Sequence, residues 1–185
     1  MKISVMMPTY NDADSIVESL DSVLSQTYKN FEIIIINDGS TDKTEQIIDD
    51  YKQRYHNQIV IKYVYQTNQD QLNALLTGSK LISGQLVFVL HSDDLLPSKD
   101  FFKQIVEYFK QYPDAKAIIG DLEIINDQDQ ITGAWSAGKY WHHQHVVTRL
   151  LLNDGCNIYG DVTVQRAEVF CDQTRRNYLT WNTPF

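Results

Sequence analysis

The chain is poor in cysteine, with only Cys156 and Cys171 among its 185 residues. Their spacing matches neither a zinc site nor a disulfide framework, so we expect two reduced thiols in a cytoplasmic protein. No apolar run is long enough to span a membrane, and Pro8 ends the apolar start of the chain too early for a signal peptide. The glycine patterns G-x-G-x-x-G and Walker A are also missing. Their absence argues against a dinucleotide-dependent dehydrogenase or a P-loop NTPase.

Positive charge is scarce as well, because 16 lysines and arginines face 24 aspartates and glutamates, for a net charge of −8. This balance argues against binding nucleic acid or an anionic membrane through a general electrostatic surface. An anionic small ligand would need a metal ion or backbone donors at its site. Hydrophobic residues make up 43% of the chain, which at this length predicts one globular domain with a real core.

The hydrophobic pattern predicts alternating strands and helices over the first 110 residues. Strands are predicted at 3–7, 31–36, 59–64, 86–90, 117–119 and 122–125, and helices at 12–25, 43–55, 72–82 and 101–109. Such alternation is typical of an α/β fold with a doubly wound, mostly parallel sheet and helices on both faces. After residue 126 the sequence predicts a loop-rich half with a helix at 144–152, a strand at 162–164 and a short helix at 167–170.

Polar residues follow three of the predicted strands. Pro8, Thr9 and Tyr10 end the first, Asp38 follows the second, and the adjacent pair Asp93 and Asp94 follows a later one. These strand ends meet at one edge of a doubly wound sheet, where ligands bind. Two neighbouring carboxylates repel each other, which favours a bound Mg²⁺ or Mn²⁺. On that segment alone, a helix cap before Pro97 is an equally good explanation.

Together these residues form an inventory suited to a nucleotide diphosphate. Tyr10 offers an aromatic face for a base, and Asp38 a carboxylate that accepts from a base N–H. Asp93 can accept from ribose hydroxyls, and Asp94 can hold a metal ion against phosphates.

Four ordered segments resemble the family 2 glycosyltransferases of the GT-A fold. They are 3–11 (ISVMMPTYN), 22–28 (SVLSQTY), 31–42 (FEIIIINDGSTD) and 92–94 (SDD). The resemblance implies inverting, metal-dependent transfer of a sugar from a nucleotide-diphosphate donor, most often a UDP-sugar, to a glycan or lipid-linked acceptor. It assigns donor binding to five residues and the metal ion, Mg²⁺ or Mn²⁺, to Asp94. The five are Pro8, Thr9, Tyr10, Asp38 and Asp93. Assembly of surface polysaccharide at the inner face of the membrane is a family-level expectation.

Several positions depart from the family pattern. His91 stands where the family commonly has the first acid of its Asp-x-Asp segment, and Asn37 replaces a frequent Asp. The segment 66–71 lacks the usual Gly, and Leu76 stands where many members carry Asn. These departures keep open a non-catalytic protein with a degenerate nucleotide-sugar site. A nucleotidyltransferase is the other alternative, but residues 8–11 offer no glycine-rich loop with a basic residue.

The single domain is expected to divide into a nucleotide-sugar-binding half, 1–125, and a partial acceptor-side half, 126–185. Residues 162–166 faintly resemble the family's acceptor-side strand and its arginine. Asp161 is a weak candidate for the catalytic base, which we expect to lie beyond Phe185 in a longer enzyme. The remaining candidates are loop histidines and large aromatics, for which packing is the favoured interpretation over metal binding or sugar stacking. They are His142, His143, His145, Trp135, Tyr140, Trp141 and Trp181.

Overall fold

The computed structural model describes residues 1–126, 128, 130–135 and 163–176, with the backbone alone at 135 and 172–176. These ranges contain eight strands and five helices. The strands are β1 (Ile3–Thr9), β2 (Phe31–Asn37), β3 (Val60–Tyr65), β4 (Leu86–Val89), β5 (Ala117–Ile119), β6 (Leu122–Ile125), β7 (Ile131–Trp135) and β8 (Thr163–Arg166). The helices are α1 (Ile16–Leu24), α2 (Thr44–Tyr55), α3 (Gln71–Ser79), α4 (Phe101–Gln111) and α5 (Ala167–Arg176).

Six strands form the main sheet, in the order β3-β2-β1-β4-β8-β5. Strands β1 to β4 are parallel, whereas β8 runs antiparallel to both of its neighbours. The strand order reverses between β1 and β4, which makes this the topological switch point where open α/β sheets bind ligands. The prediction of a mostly parallel α/β sheet is confirmed.

The core occupies both faces of this sheet. The odd-numbered residues of β1 and β2, among them Ile33 and Ile35, pack with α1, α2 and α4. The even-numbered ones, among them Ile34 and Ile36, pack with α3 and α5. Because strand side chains alternate between faces, a run of four isoleucines fills both layers at once.

The structure extends or corrects several predicted elements. Strand β7 pairs with β6 as a separate hairpin, in a segment where the sequence predicted loops. Helix α4 begins at Phe101, as predicted, and continues to Gln111, and α5 continues to Arg176 rather than ending at residue 170. Helix α1 begins at Ile16, later than predicted, and α3 ends at Ser79 rather than at residue 82. No helix in the described ranges is long and apolar enough to cross a membrane.

Candidate functional site

A pocket of about 320 Å³ opens at the carboxyl edge of the sheet, over the ends of β1, β2 and β4 and beside the start of α3. Its lining residues are Pro8, Thr9, Tyr10, Asp12, Asp38, Asn68, Asp70, Gln71, Ala74, His91, Ser92 and Asp93. All five residues predicted to bind a donor are among them. The pocket therefore lies at the switch point of the sheet, as the parallel topology requires.

The end of β1 provides one wall. The Thr9 side chain is buried, whereas Tyr10 is 49% exposed and leaves its ring accessible at the pocket. The backbone of this wall is continuous with β2, because Asp38 N donates to Thr9 O at 2.9 Å. The hydrogen bonds between β1 and β2 thus fix the position of Tyr10 relative to Asp38.

Asp38 is buried but only half hydrogen-bonded. Its Oδ1 atom accepts from Gln66 Nε2 at 2.7 Å and from Gln69 N at 3.0 Å. Its Oδ2 atom accepts no hydrogen bond from any residue that the structure describes, which leaves one oxygen available to a ligand. Gly39 follows at φ +84°, where a Cβ would stand 2.8 Å from Asn68 N. The turn that presents Asp38 therefore requires glycine.

Asn37, which replaces a frequent family Asp, is fully buried beneath the pocket. Its Oδ1 accepts from Ser40 N at 2.8 Å, and its Nδ2 donates to Tyr63 Oη at 3.1 Å. The asparagine amide supplies both an acceptor and a donor without carrying a charge, so the replacement preserves the conformation of the turn.

The loop after β4 presents Asp93 to the pocket. Asp94 follows it but is not among the lining residues, and its side chain is half-buried. The backbone of Asp94 is fixed, because its carbonyl accepts from Ser19 Oγ at 2.5 Å and its N–H donates to His91 O at 3.1 Å. Since α4 begins only at Phe101, neither carboxylate caps a helix, and that alternative is wrong.

His91 and Gln71 meet across the pocket. Nε2 of Gln71 lies 3.0 Å from Nε2 of His91. The position where the family commonly has the first acid of its Asp-x-Asp segment is therefore occupied by the imidazole of His91, which contacts the amide of Gln71.

The start of α3 carries an unusual backbone. Asp70, which stands in the segment that lacks the usual glycine, has φ +77° and ψ +161°. Residues other than glycine rarely adopt this backbone conformation, which costs them on the order of 1–3 kcal/mol. Asp70 also caps the helix, since its Oδ1 accepts from Asn73 N at 3.0 Å.

Several lining residues were not predicted from the sequence, notably Asp12, Asp70 and Gln71. A usable signal existed for Asp12, which lies in the polar segment 9–12 after the first predicted strand. Asp70 and Gln71 reach the pocket because α3 packs on the sheet, and that placement has no local sequence signature.

The charge of the pocket lining is strongly negative. Four carboxylates line it, from Asp12, Asp38, Asp70 and Asp93, and no lysine or arginine is among the described lining residues. The described ranges contain no group of three or more metal-ligating side chains. The neighbouring carboxylates of Asp93 and Asp94 match the way Mg²⁺ is usually held, by one or two carboxylates together with substrate phosphates.

Other predicted residues do not join this site. Arg166 lies at the opposite edge, where β8 pairs with the start of β4, and its guanidinium donates to the carbonyls of Ala115 and Pro113 at 2.7 and 2.5 Å. These contacts give Arg166 a structural role at that edge, and the resemblance to an acceptor-side arginine stays a prediction. Asp161, the three loop histidines and the aromatic side chains lie outside the described residues; they are His142, His143, His145, Trp135, Tyr140, Trp141 and Trp181.

The model of the glycosyl transferase family 2 matches residues 4–170. The chain belongs to the family 2 glycosyltransferases. The resemblance drawn from the four ordered segments is confirmed, and the matched range covers both the pocket and the last described strand.

Relatives and solved structures agree with the family. The poly-beta-1,6-N-acetyl-D-glucosamine synthase of Staphylococcus epidermidis is 37% identical over 125 residues, which are 67% of this chain and 29% of the synthase. The crystal structure of S. aureus TarS 1–349 in complex with UDP-GlcNAc has a TM-score of 0.69 at 23% identity, over 94% of this chain and 47% of that one. The mannosyltransferase PcManGT from Pyrobaculum calidifontis, in complex with GDP-Man and Mn²⁺, has a TM-score of 0.60 at 25% identity, over 69% of this chain and 36% of that one. This glycosyltransferase chain thus spans less than half of the length of each of the three.

Proposed function

We propose that this chain carries the donor site of an inverting, metal-dependent glycosyltransferase that uses a nucleotide-diphosphate sugar. The observation that carries the proposal is the convergence of Tyr10, Asp38 and Asp93 on one pocket at the switch point of the sheet. The division into a donor half, 1–125, and a partial acceptor half, 126–185, belongs to the same proposal. So does a cytoplasmic location at the inner face of a membrane.

Each donor-binding residue has a role that suits its environment. The half-exposed ring of Tyr10 can stack on the base, with Pro8 and Thr9 beside it. The Oδ2 atom of Asp38, which accepts no hydrogen bond from a described residue, can accept from a base N–H, since Oδ1 is already satisfied within the protein. The exposed carboxylate of Asp93 can accept from the ribose hydroxyls.

The charge of the pocket supports a role for a divalent cation. A diphosphate entering among four carboxylates would be repelled, and no described lining residue supplies a positive charge. We propose that Asp94, with Asp93 beside it, holds Mg²⁺ or Mn²⁺. When bound there, the ion would stabilise the negative charge of the departing diphosphate. The Mn²⁺ complex of the mannosyltransferase relative is consistent with this choice.

A UDP-sugar is the proposed donor, with a glycan or a lipid-linked glycan as the acceptor. Support comes from TarS, which is structurally similar and binds UDP-GlcNAc, and from the likeness to a poly-N-acetylglucosamine synthase. Direct displacement by an acceptor hydroxyl inverts the anomeric carbon and requires a carboxylate base. Asp161 is the proposed candidate for that base within this chain.

One observation favours a second function, that of a non-catalytic nucleotide-sugar-binding protein. His91 occupies the position of the first family acid and is held by Gln71. Turnover separates the two functions, because only an enzyme would release UDP from a UDP-sugar when supplied with acceptor or water.

Thermal unfolding with UDP and Mn²⁺ tests donor binding. At a ligand concentration about 100-fold above Kd, we expect Tm to rise by about 7 °C, and we expect Asp94→Ala to abolish the part that depends on Mn²⁺. Asp14→Ala is the matched control, since Asp14 is exposed and does not line the pocket. If no nucleotide gives a metal-dependent rise, the proposed function is wrong.

A further inference from the structure

Asp12 makes contacts that the donor-site assignment does not use. Its Oδ2 atom accepts three hydrogen bonds, from Thr9 Oγ1 at 2.9 Å, from Tyr10 N at 2.9 Å and from Ser92 Oγ. Ser92 lies 80 residues further along the chain, and its buried hydroxyl oxygen also lies 3.3 Å from Pro8 O. A single carboxylate oxygen therefore joins the loop that carries Tyr10 to the loop that carries Asp93.

Asp12 is itself held firmly in place. Its N–H donates to Thr44 Oγ1 at 3.0 Å, at the buried start of α2. Its carbonyl accepts from Ile16 N at 2.9 Å and from Ser15 N at 3.1 Å, at the start of α1. The loops after β1 and β4 and the start of α2 thus meet at this one residue.

Helix capping does not account for the Asp12 side chain. A capping side chain accepts from an amide of the first helical turn, whereas the Asp12 carboxylate accepts from two residues that precede it and from a distant serine. Hydrogen bonds to an ionised acceptor are stronger than neutral ones, so the arrangement is well suited to fixing loop geometry.

We propose that Asp12 is a positioning residue of the nucleotide pocket, which acts by fixing Tyr10 and Asp93 relative to each other. The inference rests on the proposed function, because Tyr10 and Asp93 matter as a pair only if they contact the same ligand. Asp12 also lines the pocket, with an Oδ1 atom that accepts no hydrogen bond from any residue in the described ranges. A direct contact between that oxygen and the ligand or its metal ion is the competing explanation.

Two substitutions distinguish these explanations. Asp12→Asn and Asp12→Ala remove the same negative charge, but only asparagine keeps an oxygen that can accept from Thr9, Tyr10 and Ser92. We expect Asp12→Ala to bind UDP with Mn²⁺ about tenfold more weakly than the unaltered 185-residue chain, by isothermal titration calorimetry. Asp12→Asn should stay within about threefold, because losing one of four pocket carboxylates does not disfavour a diphosphate. Asp14→Ala is the control for removing an acid from this loop without touching the pocket.

Hydrogen exchange supplies a measurement that needs no ligand. In Asp12→Ala, the backbone amides of 90–96 should exchange faster than in Asp12→Asn and the unaltered chain, because the tie to Ser92 is lost. Ser92→Ala should show the same direction of change to a smaller extent, and it serves if Asp12→Ala does not fold.

The outcomes separate the two proposals. If Asp12→Asn binds as weakly as Asp12→Ala, the carboxylate contacts ligand or metal directly and the positioning role is wrong. Equal binding by Asp12→Ala and the unaltered chain, or unchanged exchange at 90–96, would also overturn it. If the unaltered chain binds no nucleotide, the proposed function fails, while the exchange comparison still decides whether Asp12 fixes the loop.

Discussion

Carboxylates occur at both edges of the main sheet, at the amino and at the carboxyl ends of its parallel strands, but in opposite electrostatic settings. At the amino edge, Glu32 is fully buried and forms ion pairs with Lys2 at 2.7 Å and Lys62 at 3.0 Å. Its oxygens also accept from Ser4 Oγ, Ser83 N and Ser83 Oγ. At the carboxyl edge, four carboxylates share a pocket without a described lysine or arginine.

The pKa of Glu32 expresses the difference. Burial by itself raises that pKa, but hydrogen bonds from Lys2, Ser4, Ser83 and Lys62 outweigh burial and lower it to about 2. The anion at the amino edge is thus neutralised by the fold. At the carboxyl edge, no described lysine or arginine of the lining neutralises the four carboxylates, which is the distinction expected between a structural charge and a ligand-binding one.

The largest expected effect on stability comes from replacing the buried Glu32 at the amino edge. We expect Glu32→Gln to lower the free energy of unfolding by about 3 kcal/mol, because it leaves two lysines without their anion and replaces an acceptor with a donor. Asp93→Asn is the matched control at the other edge. Its side chain is exposed, so its effect should stay within about 0.5 kcal/mol in urea denaturation. Equal losses in the two variants would erase the contrast between the edges.

Acid titration sharpens the same comparison. The folded pKa of about 2 lies below the ordinary value of 4.5, so the stabilisation from Glu32 is complete above pH 4.5 and is lost as the pH falls towards 2. It corresponds to about 3 kcal/mol. The difference in stability between the unaltered chain and Glu32→Gln should therefore be constant near neutrality and shrink below pH 4.5. A difference that persists undiminished at pH 2.5 would assign the loss to packing rather than to charge.

A smaller effect is expected at Asp70, on the pocket side. Glycine accepts φ +77° freely, so Asp70→Gly relieves strain while losing the helix cap, and we expect a gain of about 0.5 kcal/mol. Asp70→Ala keeps the strain and also loses the cap, so it should be about 1 kcal/mol less stable than the unaltered chain. Thermal unfolding of the two variants measures the gap. If Asp70→Ala were as stable as Asp70→Gly, the backbone of Asp70 would not be strained.

Much of the site followed from strand ends alone. Tyr10, Asp38 and Asp93 were predicted to meet because each follows a strand of a parallel sheet, and the pocket brings these three together. Asp94 was grouped with them by adjacency, yet it is not among the residues that line the pocket. Its role as a metal ligand remains a prediction.

Sequence by itself determined the fold class, the family and the edge of the sheet at which a ligand would bind. These depend on local hydrophobic periodicity and on short ordered segments, both of which can be seen one window at a time. Tertiary structure alone decided that Asp12 accepts from Ser92, that Gln71 reaches His91, and that Glu32 lies between Lys2 and Lys62. Each of these contacts joins residues 20 to 80 positions apart, whose approach is set by strand order and helix packing rather than by any neighbouring residue in the chain.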